Sequence, residues 1–256
     1  MKLTFLGTGT SQGVPVIACR CRVCTSSDPR DQHLRSSALV QTDEGKNILI
    51  DIGPDFRTQM LREQITHLDG ILITHAHRDH VAGLDDIRSF NYVQHEYMNV
   101  YGNREALETL RRDYAYIFSE HEYPGLPEAM LHQVDGSEPF SVAGVQVVPV
   151  RTLHKNLPIL AYRIGWLGYI TDTNYISEEE LQKLAGVDVL VVNALRKEPH
   201  FSHFSLPEAL EVVDALHPRE AYLTHVSHQL GLVAEVEPEL PSHVHIACDG
   251  MQVDIR

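Results

Sequence analysis

Four side chains able to ligate a metal ion stand within six positions of one another: His75, His77, Asp79 and His80, in the stretch ILITHAHRDH at residues 71–80. Ile71, Leu72 and Ile73 read as a short buried strand. Alternate residues of an extended chain share a face, so His75, His77 and Asp79 are expected to point one way, with His80 where a helix begins. Neutral imidazole and carboxylate suit zinc, manganese or iron. A solvated polar loop is the plain alternative, and the crowding of four such residues at a strand end argues against it.

A second group is CxCxxC, formed by Cys19, Cys21 and Cys24. Two thiolates three residues apart can wrap a tetrahedral zinc, and a third can reach it from the same loop, which leaves one ligand to come from a distant residue. A redox CxxC is the poorer reading, because no thioredoxin-like βαβ pattern surrounds it. Elsewhere single candidates appear. His154 lies in VRTLHKNLP, read as a loop between two strands. GYITDTN echoes LIDIGP, each an apolar strand ending in an aspartate, Asp172 and Asp51. LTHVSH likewise echoes ITHAH and offers His225. The echoes suggest two related halves that present ligands at the carboxyl ends of strands, where α/β sites form, with Asp172 a candidate bridging carboxylate and His225 a terminal ligand. His203 precedes a helix, with His200 close enough in sequence to be confused with it.

The elements that must position these residues follow in order. Residues 2–7 read as an opening strand, and GTGTSQGVP as a tight turn with glycines at positive φ, since a phosphate-binding loop would end in Gly-Lys-Ser/Thr. Residues 37–42 and 46–50 form a hairpin about Asp-Glu-Gly. Residues 55–66 are expected to be helical, with Phe56, Met60, Leu61 and Ile65 as its apolar stripe. A looser helix and loop follow residue 81, then the strand MNVYGN, the helix REALETLRRDYAYIF and the breaker HEYPGLP. Histidines 95, 121 and 132 read as surface or packing residues. Residues 140–150 and 160–166 alternate as strands. SEEELQKLA is a short helix, VDVLVVNAL a buried strand, and Ser205 an N-cap with Pro207 and Glu208 in the first turn of the next helix. REAYLTH and HIACDGMQVDI close the chain as strands, with Cys248 an inward core thiol.

A chain of 256 residues can bury about three quarters of its unfolded surface. Lys and Arg number 21 against 35 Asp and Glu, a formal charge of −14. That leaves no basic footprint for a phosphate backbone, so long nucleic acid is not an expected partner. No run approaches a membrane span and the start lacks a signal peptide's features, so a cytoplasmic location is expected, with no membrane partner. Four cysteines, three of them within six residues, favour metal binding over a disulfide framework. A homodimer is compatible with the chain.

HxHxDH on a strand-to-helix turn resembles the metallo-β-lactamase superfamily. Together with His154, Asp172, His203 and His225 it is similar to the phosphodiesterases of that fold, and CxCxxC narrows the likeness to the phosphoribosyl 1,2-cyclic phosphate phosphodiesterase (PhnP-type) branch. The resemblance implies one domain over residues 1–256, α/β in class: an αββα sandwich of two mixed β-sheets between helix layers, with a zinc knuckle at residues 19–24. It implies a dinuclear centre of manganese, zinc or iron, with His75, His77 and His154 on one metal, Asp79, His80 and His225 on the other, and Asp172 bridging. It implies that Asp51 braces the metal loop, that His203 assists the leaving group, and that a structural zinc on Cys19, Cys21 and Cys24 is completed by His228, three residues after the last active-site ligand. The implied activity is hydrolysis of small cyclic phosphodiesters, 5-phosphoribosyl 1,2-cyclic phosphate being the namesake. The natural nucleophile is a hydroxide shared between metals about 3.5 to 4 Å apart.

Three alternatives share parts of this pattern. A tRNA 3′-processing nuclease uses a basic tRNA-gripping insertion that the sequence lacks. A thioester hydrolase of the glyoxalase II kind would leave CxCxxC and His203 unexplained. A non-catalytic cofactor-biosynthesis relative with a cysteine knuckle would be expected to have lost metal ligands, and here the set is complete.

Overall fold

The computed structural model describes residues 1–119 and 125–256. The first sheet takes β1 (Lys2–Gly7), β2 (Ser37–Gln41), β3 (Asn47–Ile50), β4 (Gly70–Leu72), β5 (Met98–Gly102) and β6 (Ala129–Gln133). The second takes β7 (Phe140–Val142), β8 (Val145–His154), β9 (Leu157–Ile164), β10 (Leu167–Ile170), β11 (Tyr175–Ile176), β12 (Val189–Asn193), β13 (Glu220–Thr224) and β14 (Val244–Ile246). The last strand, β15 (Gln252–Asp254), returns to the first sheet beside β1. The spatial orders are β15-β1-β2-β3-β4-β5-β6 and β11-β8-β9-β10-β12-β13-β14, with β7 pairing β8.

Both sheets are mixed in the same way. β3 is antiparallel to β2 and parallel to β4, and β10 is antiparallel to β9 and parallel to β12. Asp51 and Asp172 follow these two junction strands, so the echo between LIDIGP and GYITDTN has a structural counterpart. The echo between ITHAH and LTHVSH does not correspond in position: β4 adjoins β3, whereas β13 lies two strands from β10.

Strand periodicity separates three apolar layers, because alternate side chains leave opposite faces of a sheet. Leu3, Phe5, Ile48, Ile50, Tyr162 and Val191 pack between the sheets. Leu39, Leu49 and Ile71 face outward to Phe56 and Met60 of α1 (Phe56–Arg62) and to Leu107 and Leu110, beyond the short α2 (Arg78–Val81) and α3 (Arg88–Gln94), on α4 (Arg104–Asp113). Leu190, Val192 and Leu223 face the other way, past α5 (Glu178–Gln182), to Ala209, Val212 and Val213 of α6 (Leu206–Leu216), with Val233 and Val236 of α7 (Val233–Val236) alongside. The result is the expected helix, sheet, sheet, helix sandwich.

Several details differ from the sequence reading. The helix expected over residues 55–66 stops at Arg62, and Leu61 of its stripe is exposed. The strand expected over 140–150 is two strands about Ala143 and Gly144, and β8 then runs through to His154, so this histidine ends a strand in a tight hairpin instead of sitting in a loop. β6 has no counterpart in the sequence reading; with all five of its residues at least partly open to solvent, it lacks a clear apolar period. The closing strand is two strands in different sheets, and half-buried Cys248 lies in the crossing between them, outside any strand. Of the glycine-rich loop only Gly13 has positive φ. A Cβ on Gly7 would meet the Arg35 carbonyl at 2.0 Å, so close approach is the requirement there. His95 caps α3 in a left-handed conformation, His132 bonds Asn99 and stacks on Tyr101, and His121 lies outside the described residues.

Candidate metal centre

β4 ends at Leu72, so His75 and His77 lie on the loop beyond it, and Asp79 and His80 sit in α2, for which His77 is the N-cap. The three alternate residues therefore do not share one extended strand, as the spacing suggested; a turn into helix brings Asp79 and His80 inward together. His75, Asp79 and His80 are buried, and His77 is exposed at the mouth. Gly53 makes room for this turn, since a Cβ there would lie 2.1 Å from the Asp79 carbonyl. Asp51 (φ 61°), Asp172 (φ 55°) and His225 (φ 54°) each follow the carboxyl end of a strand in the left-handed region, a conformation rare for such residues and concentrated at functional sites.

Donor atoms of Asp79, His80, Asp172 and His225 lie within 4.8 Å of one another, and so do those of His154, Asp172 and His203. Asp172 belongs to both groups. Its Oδ2 faces Nε2 of His80 at 3.0 Å and Nδ1 of His225 at 3.1 Å, while its Oδ1 faces Nε2 of His203 at 3.1 Å. The His75 ring adjoins those of His77 and His154, at 4.5 and 5.6 Å between centroids, and those two rings are 5.0 Å apart. Every residue that the sequence nominated for the dinuclear set is thus gathered at one end of the sandwich. Unexpectedly, His203 stands within donor distance of Asp172 and His154.

The imidazoles are aimed by bonds at Nδ1. His80 Nδ1 lies 2.6 Å from Asp51 Oδ2, which also accepts from Thr74 Oγ1 at 2.8 Å, while Oδ1 accepts from Thr74 N at 2.8 Å. With its own proton given to Asp51, the Thr74 hydroxyl accepts from His75 Nδ1 at 3.1 Å. His154 Nδ1 donates to the Asp172 carbonyl at 2.7 Å. Ser36 Oγ, which donates to Gly9 O, lies 3.1 Å from His225 Nδ1. Such bonds fix ring orientation and leave Nε2 as the free donor pair. Nε2 of His75 and of His225 is buried with no hydrogen-bond partner, a cost of roughly 1–3 kcal/mol for each orphaned group, while Nε2 of His80 is buried against the Asp172 and Asp79 carboxylates at 3.0 and 3.1 Å.

The electrostatics agree with a cation site. Burial holds His75 well below the usual imidazole value and His225 at about 4, which keeps both in the neutral, ligating form. Burial also opposes charge on His80, yet Asp172, Asp79 and Asp51 outweigh it and drive its pKa well above the usual value. Three carboxylates gathered beside the buried neutral imidazoles of His75 and His225 call for more positive charge than His80 alone can carry, and the orphaned nitrogens of those two rings supply ligands for it. The residues present fit a pair of divalent metals.

Cys19, Cys21, Cys24 and His228 form a second compact donor group within the same 4.8 Å limit. Their loop turns at Ala18, with φ 65°, and His228 Nδ1 lies 3.5 and 3.3 Å from the sulfurs of Cys19 and Cys21. The Cys24 backbone N–H lowers the Cys21 thiol to about 6, whereas burial raises Cys24 to about 11. His225 and His228 share one segment, which is laced to the N-terminal loop by Val226 N to Thr8 O at 2.9 Å and Thr10 N to Val226 O at 3.0 Å. His228 therefore joins the cysteine group to the segment that carries His225.

Four supporting residues escaped the sequence reading: Thr74, Ser36, Thr173 and Asn193. The last two exchange bonds of 2.9 and 3.0 Å that hold the turn after Asp172. Each acts through a partner 20 or more residues away, or through a neighbour's side chain, so no local spacing betrays it.

A description of the beta-lactamase superfamily domain matches residues 46–226, a span that holds all seven proposed dinuclear ligands and His203. The octanoyltransferase of Porphyromonas gingivalis (strain ATCC BAA-308 / W83) is 41% identical over 256 residues, 100% of this chain and 52% of its own length, so this chain spans about half of that relative. The crystal structure of a new diphosphatase from the PhnP family is 39% identical, with a TM-score of 0.91 and coverage of 98% of this chain and 96% of its own. Zn(2+)-bound PqqB from Methylobacterium extorquens is 18% identical and superposes with a TM-score of 0.77 over 100% of both chains, a likeness of fold. On the matched domain and the shared sandwich, this chain belongs to the beta-lactamase superfamily and has the metallo-β-lactamase fold.

Proposed function

We propose that the protein is a dinuclear metal-dependent hydrolase of small phosphodiesters in the PhnP-type branch, with cyclic phosphodiesters such as 5-phosphoribosyl 1,2-cyclic phosphate as its substrate class. The observation that carries this reading is the double donor cluster about Asp172, combined with a cysteine knuckle on the His225 segment. The 39% identity to a PhnP-family diphosphatase over nearly the whole of both chains supports it.

In this reading His75, His77 and His154 hold one ion, Asp79, His80 and His225 the other, with Asp172 between them, and Cys19, Cys21, Cys24 and His228 hold a structural zinc. Two divalent ions there, manganese, zinc or iron, supply Lewis-acid neutralisation of the phosphoryl group and lower the pKa of the attacking water. The chain itself does the rest. His203 donates a proton from Nε2 to the departing oxygen. Its Nδ1 meets Ser202 Oγ at 3.0 Å and His200 Nδ1 at 3.2 Å, so His200 is a positioning partner of the donor and not the donor. Asp51 and Thr74 hold His80 and His75 to the tautomer that presents Nε2.

No helix among the described residues is long and apolar enough to cross a membrane, and no cysteine forms a disulfide. Cysteines gathered with a histidine as a zinc-type donor group, instead of paired in disulfides, support the cytoplasm as its location. One specific observation favours a second reading: the relative named octanoyltransferase matches along this whole chain, and acyl transfer involves thioester-like substrates.

The test is a hydrolysis panel on metal-loaded protein: 5-phosphoribosyl 1,2-cyclic phosphate, a 2′,3′-cyclic nucleotide, a nucleoside diphosphate derivative and an octanoyl thioester. Turnover of the cyclic phosphodiesters above the others is expected. Preferential thioester cleavage would replace this reading with the second, and preference for the diphosphate would move the substrate class to phosphoanhydrides.

A further inference from the structure

The rim of the metal centre carries a cation with no carboxylate partner among the described residues. Of the five lysines in the chain, Lys46, Lys183 and Lys197 pair with Asp69, Glu180 and Glu239, and Lys2 bonds Gln252. Lys155 makes no ion pair among the described residues. Its ammonium sits 5.3 Å from the centroid of the Phe201 ring, and Phe201 is 68% exposed. Lys155 directly follows His154, and Phe201 lies between His200 and Ser202. The His200 and Phe201 rings are 4.4 Å apart, and those of His200 and His203 are 5.2 Å apart.

The backbone at Lys155 is held for this placement. It takes φ 58°, a left-handed conformation uncommon for lysine, and its N–H donates to Asn174 Oδ1 at 2.5 Å. Asn174 belongs to the turn after Asp172, so the lysine is registered to the bridging carboxylate. An apolar ring left in solvent gains from a cation over its face, and the cation is thereby held on the proton-donor side of the site. The chain as a whole is strongly acidic, at −14, and repels anionic substrates unless a local cation offsets that field.

Resting on the phosphodiesterase reading, we infer that Lys155, propped by Phe201 and Asn174, is a specificity residue. It anchors a second anionic group of the substrate, a phosphoryl group carried on the sugar whose ester oxygen is freed toward His203. A substrate whose sugar bears this second phosphate gains this contact, and one that lacks it does not.

The experiment compares holoenzyme variants on ribose 1,2-cyclic phosphate with and without a 5-phosphate. In the wild type the phosphorylated compound has the higher kcat/KM. Lys155→Gln lowers the ratio between the two about tenfold, the size of one charge-assisted hydrogen bond, chiefly through KM. Lys155→Arg restores most of the ratio, Phe201→Ala gives a smaller loss, and metal content stays at the wild-type level in all three. A ratio within twofold of wild type in Lys155→Gln would overturn the inference, as would an equal loss on both compounds or a fall in metal content. If metal-loaded wild type hydrolyses neither compound, the phosphodiesterase reading fails separately. Titration calorimetry with the same unhydrolysed pair then decides the anchor: tighter binding of the 5-phosphate form that Lys155→Gln abolishes upholds it, and equal binding refutes it.

Discussion

The carboxylate of Asp51 lies 2.6 Å from Nδ1 of His80, and both side chains are wholly shut off from solvent. Through Thr74 the same carboxylate also orders His75, so one buried acid sets the orientation of two imidazoles, His75 with its Nε2 unpartnered and His80 with its Nε2 against Asp172 and Asp79. Replacing Asp51 with Asn leaves a group of the same shape with one acceptor oxygen in place of two, so it can no longer take the Thr74 N–H, the Thr74 hydroxyl and the His80 ring together. The expected outcome is a loss of active-site metal affinity of about 10 to 100-fold, read by chelator competition. Undiminished affinity would show that the His80 orientation does not depend on Asp51.

Much of this centre was legible in sequence because its ligands fall at strand ends. HxHxDH, Asp51, Asp172 and His225 each follow an apolar strand, and the strand pattern is readable at short range. His154 was harder: only the need for a further imidazole singled it out, and its true setting, the last residue of a ten-residue strand, depends on pairing with β9. The His75, His77, Asp79 alternation misled, because a helix starts within the motif and changes the period from two to 3.6. Ser36 and Thr74 were invisible for a different reason. Their roles exist only once β2 and β4 bring them against histidines or acids fixed elsewhere, and a lone Ser or Thr carries no mark of that. Cys248 shows the same limit in the core: its segment alternates like one strand, yet tertiary pairing splits it between two sheets.

Cys21 and Asp79 should separate stability from chemistry. Cys21→Ser removes a ligand of the proposed knuckle zinc, whose binding free energy would contribute to folding, and is expected to lower Tm by about 10 °C, several kcal/mol for a chain of this size. Asp79→Ala is expected to cut turnover at least ~100-fold with a smaller change in Tm. Thermal melts and steady-state assays on both variants check this; a Cys21→Ser protein with wild-type Tm and no turnover would place the knuckle metal in catalysis.

The two classes of metal should also part on mild chelation. Three thiolates and an imidazole hold zinc more tightly than mixed nitrogen and oxygen donors hold their ions. Elemental analysis before and after dialysis against a weak chelator is expected to retain about one zinc per chain, and to lose it in a Cys19→Ser, Cys24→Ser double variant. Zinc retention independent of the cysteines would remove the structural site.

His203 stands 3.1 Å from Asp172 Oδ1 and within donor distance of His154, so it can act as acid or as ligand, and leaving-group dependence distinguishes the two. A sugar alkoxide needs a proton and a nitrophenolate hardly does. His203→Ala is expected to slow ribose cyclic phosphate hydrolysis by roughly 100 to 10,000-fold and bis(p-nitrophenyl) phosphate far less, at full metal occupancy. Equal losses at full occupancy would leave His203 a positioning residue, and lowered occupancy would make it a ligand.

The central claim is a dinuclear site shared through Asp172, and its most direct measurement is turnover against metal equivalents. Protein stripped of its exchangeable metal, with the knuckle zinc retained, is titrated with manganese or zinc while bis(p-nitrophenyl) phosphate hydrolysis and bound metal are followed together. The expected result is little activity through the first bound equivalent and a rise to full rate as the second fills, with Asp172→Asn unable to reach that rate. Full activity at a single equivalent, or hydrolysis by the stripped protein, would contradict the account.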